Sequence, residues 1–452
     1  MSTQSQTLLT NGRVFVGDGR DVIPDGAVWV DGEEIEWAGP RVDLRGVPDG
    51  VPRVDCGGKF VMPGLVESHA HLFYGGASKP GDNDLNSPAE EAFLTAIENT
   101  ALMLRMGFTS ACGFGSLHRT DVALRNAINA GRVPGPRLLA SGRGITGTSG
   151  LVDWHPTHWK VGMEGMALKA DSPFEIRRAV REIRKEGADI VKIFLDGENM
   201  TPQSLPSDVT YSLEEVMACG EEARARNVRV VTHSRSAEAV KMALKAGFHV
   251  IGHANYLDEE ALDLMRKSPR PVFVGPAIAF DMGLYENGTR FGFDPARLDQ
   301  LGYGAEIEIT KKSVRRMREA GVRVIPGGDY GFAWTPHGTY AKDLQYFVEL
   351  FGYTPFDALL AATRDAGEMV GFGGGRVGTL EAGKLADLIV VDGDPTVDIR
   401  VLQDRAKIVA VIKGGKFYHY ALNGRSEPGL PFARATGIAR NPESLEAALA
   451  AD

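Results

Sequence analysis

Four histidines, a lysine and an aspartate carry the chemistry open to this chain. His69, His71, Lys192, His233, His253 and Asp329 are far apart in the chain, yet each falls where an apolar, strand-like run ends. Imidazole nitrogens and carboxylate oxygens are the donors that zinc and similar metals take, and these residue types together suit a two-metal hydrolytic site. A single histidine is usually a core or surface residue. The ordered series is what carries weight: a His-x-His pair, a lysine inside an apolar strand, two separated histidines, then an aspartate behind a glycine pair.

In His69-Ala70-His71, strand alternation points both imidazoles to one side, which is chelating geometry; helical spacing would part them. Lys192 lies in ADIVKIFL, where a free ammonium is costly to bury. It has three options: to snorkel to water, to pair with Asp189 or Asp196, or to lose its proton and react with carbon dioxide to give a carbamate whose two oxygens can bridge two cations. His233 and His253 close two later strands, while His249 reads as deeper or structural. Asp329 follows Gly327 and Gly328, which permit close backbone approach, and can both ligate a metal and accept a proton from water.

The elements that must position these residues alternate between strand and helix. Strand-like runs VMPGLVESHAHL, FTSAC, PRLLASG, ADIVKIFL, RVVTH, HVIGHA, PVFVGPA and VRVIPGGD are separated by helices expected over 88–106, 119–130, 173–187, 212–227, 236–246, 258–268 and 304–320. Eight such repeats predict an α/β fold, a closed (β/α)₈ barrel over 63–370, with the six residues at the carboxyl ends of strands 1, 4, 5, 6 and 8. Short alternating strands in 7–60 and again near the end, with a hairpin turn at Gly414-Gly415, predict a small β-sandwich composed of 1–62 and 371–420. The tail 421–452 departs from that texture, and NPESLEAALAAD reads as a short helix.

At 452 residues, with 43% hydrophobic and 24% charged content, the chain is long enough for a barrel of about 250 residues and a smaller module. A net charge of −9 without a basic patch argues against nucleic acid or a membrane as partner. No basic, apolar leader opens the chain, and no apolar run reaches the roughly 18 residues a membrane span needs. The three cysteines, Cys56, Cys112 and Cys219, form no C-x-x-C pair, which suits a reducing cytoplasm.

PGLVESHAHL at 63–72, VKI at 191–193, THS at 232–234, GHA at 252–254, GGD at 327–329 and GTLEAGKLADLIVVDGDP at 378–395 together resemble the amidohydrolase superfamily, in particular its branch of imidazolonepropionase-like proteins, prolidases and ochratoxin, phenylurea or thiocarbamate hydrolases. The resemblance spans about 7–420. It implies that His69 and His71 hold a buried divalent ion with Asp329, that His233 and His253 hold a more exposed one, and that Lys192, carboxylated by carbon dioxide, bridges them. Zinc is the expected metal, with cobalt or manganese as alternatives, and a homo-oligomer acting on a small-molecule substrate is expected.

That centre implies hydrolysis of an amide, peptide, urea or carbamate bond. A bridging hydroxide attacks, the exposed metal polarises the carbonyl, and Asp329 carries the proton to the leaving nitrogen. Alternatives are a deaminase of a heterocycle, which in this superfamily usually lacks the lysine and carries a glutamate soon after the strand 5 histidine, and a lactone, ester or phosphotriester hydrolase on the same centre. A scaffold that has lost activity would typically have lost ligands. Where relatives carry Gly-Gly-His after strand 3, this chain has Ser149-Gly150-Leu151, and the segment 144–171, with Trp154, His155, His158 and Trp159, is a candidate lid. Arg143, Arg235, Tyr256, Tyr330, Trp334 and His337 lie just past strand ends and are expected on the pocket rim, where an arginine can take a substrate carboxylate.

Overall fold

Eight short, apolar strands form the centre of the molecule: Leu65–Ala70, Phe108–Gly113, Arg137–Leu139, Ile190–Phe194, Arg229–Ser236, Val250–Tyr256, Phe273–Gly275 and Arg323–Val324. The computed structural model describes residues 6–158, 165–422 and 425–426. Neighbouring strands run parallel, from Leu65 beside Phe108 round to Phe273 beside Arg323. Two joints complete the ring. Between strands 3 and 4 the Ala140 carbonyl accepts from Asp189 N at 2.7 Å, and between strands 8 and 1 Ala70 bridges Tyr330 in parallel. The fold is therefore a (β/α)₈ barrel.

Each strand is nearly all buried because helices cover the outside of the ring. Ala89–Arg105, Thr120–Asn129, Pro173–Lys185, Leu213–Ala225, Ala237–Lys245, Glu259–Arg266 and Tyr303–Glu319 lie within a few residues of their expected bounds. Several start at a local cap: Ser172, Ser212, Ser236 and Asp258 each accept a first-turn backbone N–H. Two further helices, Ile278–Asn287 and Pro295–Gln300, occupy the connection after strand 7, ahead of the expected helix over 304–320.

N- and C-terminal strands share one sheet. Phe60–Pro63 pairs antiparallel with Leu388–Val391 on one edge and parallel with Gln6–Val14 on the other, so the two ends of the chain are stitched into the small β-sandwich. Its core is a separate apolar cluster that includes Leu9, Val28, Ile35, Val61, Leu388 and Ile412. The hairpin Ile408–Lys413 to Lys416–Leu422 turns on Gly414-Gly415, and a Cβ on Gly415 would meet the Gly32 carbonyl oxygen at 1.9 Å. Lys416–Leu422 runs two residues past the expected limit of 420, and the tail helix lies outside the described residues.

In the candidate lid, Gly144–Thr146 joins the barrel sheet beside strand 4, and Trp154 packs against the core. Trp159 lies outside the described residues. Among the described residues no helix is long and apolar enough to cross a membrane.

Candidate metal centre

Strands 1 and 8 bring His69, His71 and Asp329 together. The Asp329 Oδ1 stands 3.8 Å from His69 Nε2 and 3.3 Å from His71 Nε2, and one ligand atom from each of the three lies within 4.8 Å of the others. Their rings are held by stacking, His69 on Phe114 with centroids 4.1 Å apart and His71 on Tyr74 at 4.7 Å. His71 Nδ1 donates to the Gly115 carbonyl at 3.2 Å, which leaves Nε2 facing the aspartate. Glu67 braces the pair from behind by accepting the His69 backbone N–H at 3.0 Å.

Lys192, His233 and His253 come in from strands 4, 5 and 6. The Lys192 side chain is fully buried, its Nζ 4.5 Å from the Phe114 ring centre and 4.9 Å from that of Phe194, with no hydrogen-bond partner among the described residues. Both ion-pair options are closed. Asp189 is taken by Arg125 and the Ala140 N–H, while Asp196 accepts from Arg235 N, Ser236 N and Ser236 Oγ. Full burial closes the snorkelling option as well. His253 lies 4.2 Å from His233 and 5.3 Å from His69, ring to ring, and neither of its nitrogens has a partner. His233 Nε2 sits 3.2 Å from the Gly197 carbonyl.

Backbone strain marks these strand ends. His253 and Asp329 have φ of 78° and 57°, and Ala254 and Ala277 are also left-handed. Each such residue costs about 1–3 kcal/mol and persists where surrounding packing over-determines it.

Burial governs the charge of the whole group. It holds His69, His233 and His253 well below the usual imidazole range, an effect strengthened by neighbouring cations, and takes His71 down to about 3. The imidazoles are thus neutral at pH 7, the form that binds metal. Burial also lowers Lys192 to about 7 and raises Asp329 to about 6, each shift opposed by the attraction between them. Orphaned buried atoms on His69, His253, Lys192 and Asp329 would be expensive in a finished apolar core, and as a donor set they fit divalent ions.

The expected rim residues divide. Arg143 is not on the rim: Gly142, with φ of 63°, turns the chain so that the side chain runs outward to Glu182 at 3.1 Å and Glu186 at 2.6 Å. Tyr330 and Trp334 are buried, and the Tyr330 hydroxyl donates to the Tyr340 carbonyl at 3.0 Å. His337 is packed behind Gly331 with Nδ1 2.9 Å from the Tyr340 hydroxyl. Tyr256 is half-buried, whereas Arg235 is buried and ion-paired to Glu306, with Glu198 at 3.9 Å, and is not free to take a substrate carboxylate. Sequence reasoning missed Glu198, Asp281, Tyr303 and Glu306, which lie on connections with no strand pattern to place them.

A sequence model of the Amidohydrolase family matches residues 60–418. An ochratoxinase of Aspergillus niger is 29% identical over 381 residues, 79% of this chain and 75% of that protein. An imidazolonepropionase of Acidiphilium cryptum is 24% identical over 394 residues, 82% of this chain and 88% of its own. Among solved structures, a prolidase complexed with N-methylphosphonate-L-proline superposes with a TM-score of 0.81 at 29% identity, over 91% of this chain and 99% of that one.

Proposed function

The chain belongs to the amidohydrolase family and is a hydrolytic enzyme, and from that premise we propose that it cleaves an amide-like carbon–nitrogen bond of a small molecule, with two divalent metal ions as cofactors. One observation carries the reading: Lys192 is buried, without a partner, among neutral imidazoles. An amine lowered to about 7 is unprotonated in about half of the molecules at neutrality, against almost none for an ordinary lysine. Its lone pair can attack carbon dioxide, forming an N–C bond and releasing one proton, and the carbamate so formed presents two oxygens.

His69, His71 and Asp329 would hold one ion and His233 and His253 the other, with the Lys192 carbamate between them. The donor set suits zinc, and cobalt or manganese share its preferences. Bound there, the ions supply a water of lowered pKa and polarise the substrate carbonyl.

The chain's own contribution to the chemistry centres on Asp329. Its carboxylate accepts the proton that water loses as the new C–O bond forms, and returns it to the leaving nitrogen as the C–N bond breaks. Phe114, Tyr74 and Phe194 keep bulk water from the imidazoles and the lysine. The prolidase likeness supports a peptide or other amide bond as the target.

Deamination is less well supported. Glu238, the first glutamate after His233, lies on the outer helix Ala237–Lys245 and pairs with Lys241 at 3.0 Å. Elemental analysis of protein purified without chelators tests the reading, together with a panel of N-acyl amino acids, dipeptides, ureas and carbamates. About two ions per chain and release of an amine are expected. One ion, with ammonia as the only product, would favour the deaminase.

A further inference from the structure

Beside the metal-ligand residues, three carboxylates and one guanidinium are buried together. Glu198, Asp281, Glu306 and Arg235 are each at most 7% exposed; Arg235 ends strand 5, Glu198 follows strand 4, and Asp281 and Glu306 sit on two helices of the connection between strands 7 and 8. Glu306 is fully used: one oxygen accepts from Arg235, the other from the Asn199 side chain. Glu198 accepts from Thr201 Oγ1 at 3.2 Å and lies 3.9 Å from Arg235. Neither Asp281 oxygen has a partner. One arginine therefore faces three acids, so two carboxyl groups are left without a cation to balance them.

An independent feature points to the same place. Tyr303 is fully buried and its hydroxyl has no hydrogen-bond partner among the described residues, while the charges of Glu198, Arg235, Asp281 and Glu306 all act on it. A phenol oxygen can accept a hydrogen bond from a cation as readily as it donates to an acid. The group adjoins the reaction centre through strand 5, where Arg235 follows His233 by two residues, and the charge of Asp329, whose side chain is 13% accessible, acts on both Glu198 and Asp281.

We propose that Asp281, Glu198 and the Tyr303 hydroxyl form a subsite that receives a cationic nitrogen of the substrate, an ammonium or guanidinium group. The inference rests on the hydrolase reading for the rest of the substrate. An anionic group is disfavoured there, because Arg235 is already neutralised by Glu306 and the incoming charge would meet two further carboxylates. A guanidinium satisfies the pattern well: its planar donors match the two open Asp281 oxygens, and charge-assisted bonds in a dry site are strong.

The metal-loaded enzyme, titrated calorimetrically with L-arginine and with L-citrulline, tests this, because the two have the same shape and differ in charge. Arginine is expected to bind about tenfold or more tightly than citrulline. Asp281→Asn should bring the two within about threefold, and Tyr303→Phe or Glu198→Gln should weaken arginine alone. Equal affinities, tighter citrulline, no binding of either up to millimolar concentration, or an undiminished preference in Asp281→Asn would each overturn the proposal. If circular dichroism shows Asp281→Asn unfolded, the other two variants decide in its place. Release of free amine from N-acetyl-L-arginine and N-acetyl-L-citrulline then separates the two readings: preferential arginine binding with neither compound cleaved supports the subsite and counts against the hydrolase assignment.

Discussion

The Lys192 Nζ lies 4.5 Å from the centre of the Phe114 ring, and His69 is stacked on that same ring at 4.1 Å. One aromatic side chain thus fixes a lysine from strand 4 and a histidine from strand 1, and it offers the lysine no acceptor. Lys192→Ala is expected to lose most bound metal and to lower kcat/KM by about two orders of magnitude or more. Formate, acetate or propionate added at millimolar concentration should restore part of both, by supplying the missing oxygens. Full metal content and near-normal turnover in the variant would remove the bridging role.

Among the described residues Asp329 is the one carboxylate within 4 Å of both strand 1 imidazoles, and its left-handed backbone fixes where its oxygens stand. Asp329→Asn keeps the size and removes the proton acceptor. The fold should survive, and kcat should fall about 10²- to 10⁴-fold with a much smaller change in KM. Steady-state kinetics and a far-ultraviolet dichroism spectrum check both parts, and a kcat within a few-fold of the parent would mean that another group moves the proton.

Strand parity made part of this site legible in the sequence. Ile190 and Val231 belong to the apolar cluster inside the barrel, so Lys192 and His233, two residues on, face inward as well. His253 breaks that rule: Val250 is interior, a Cβ on Gly252 would point at His69, and only the left-handed turn at residue 253 swings the next side chain inward too. Parity alone would have sent it outward, and its residue type at the end of a strand-like run, not parity, identified it. Arg143 was misplaced for the same reason in reverse, because the turn at Gly142 follows from φ and leaves no periodic trace. The helix Ile278–Asn287 was illegible because it is apolar on nearly every side and carries Gly283 in its middle, where a Cβ would clash with Thr335 and the Trp334 carbonyl.

Arg143 accordingly belongs to stability and not to substrate recognition. Its side chain is buried against Glu182 and Glu186, which are themselves partly exposed, so the loss of the pair is softened by solvent. Arg143→Met should lower unfolding stability by about 2 kcal/mol while leaving KM for any substrate within a few-fold. Denaturant melts and kinetics on the same preparation test this, and a large rise in KM at unchanged stability would return Arg143 to the pocket rim.

His249 links stability to acid, well away from the candidate metal-binding residues. Burial, followed by the nearby Arg229 and Arg270, pushes its imidazole down to about 4, against an ordinary value of 6.5. A depressed histidine takes up its proton more readily in the unfolded chain. Its contribution is therefore intact above pH 6.5 and is lost as pH falls from there towards 4. Between pH 7 and pH 5 this one group should cost about 1–2 kcal/mol. Asp84, raised to about 6 by burial, works in the opposite sense over part of that range, so the comparison must be made by difference. In His249→Gln the melting temperature should fall less between pH 7 and pH 5 than in the parent, and parallel curves for the two proteins would show that His249 is not the group that senses acid.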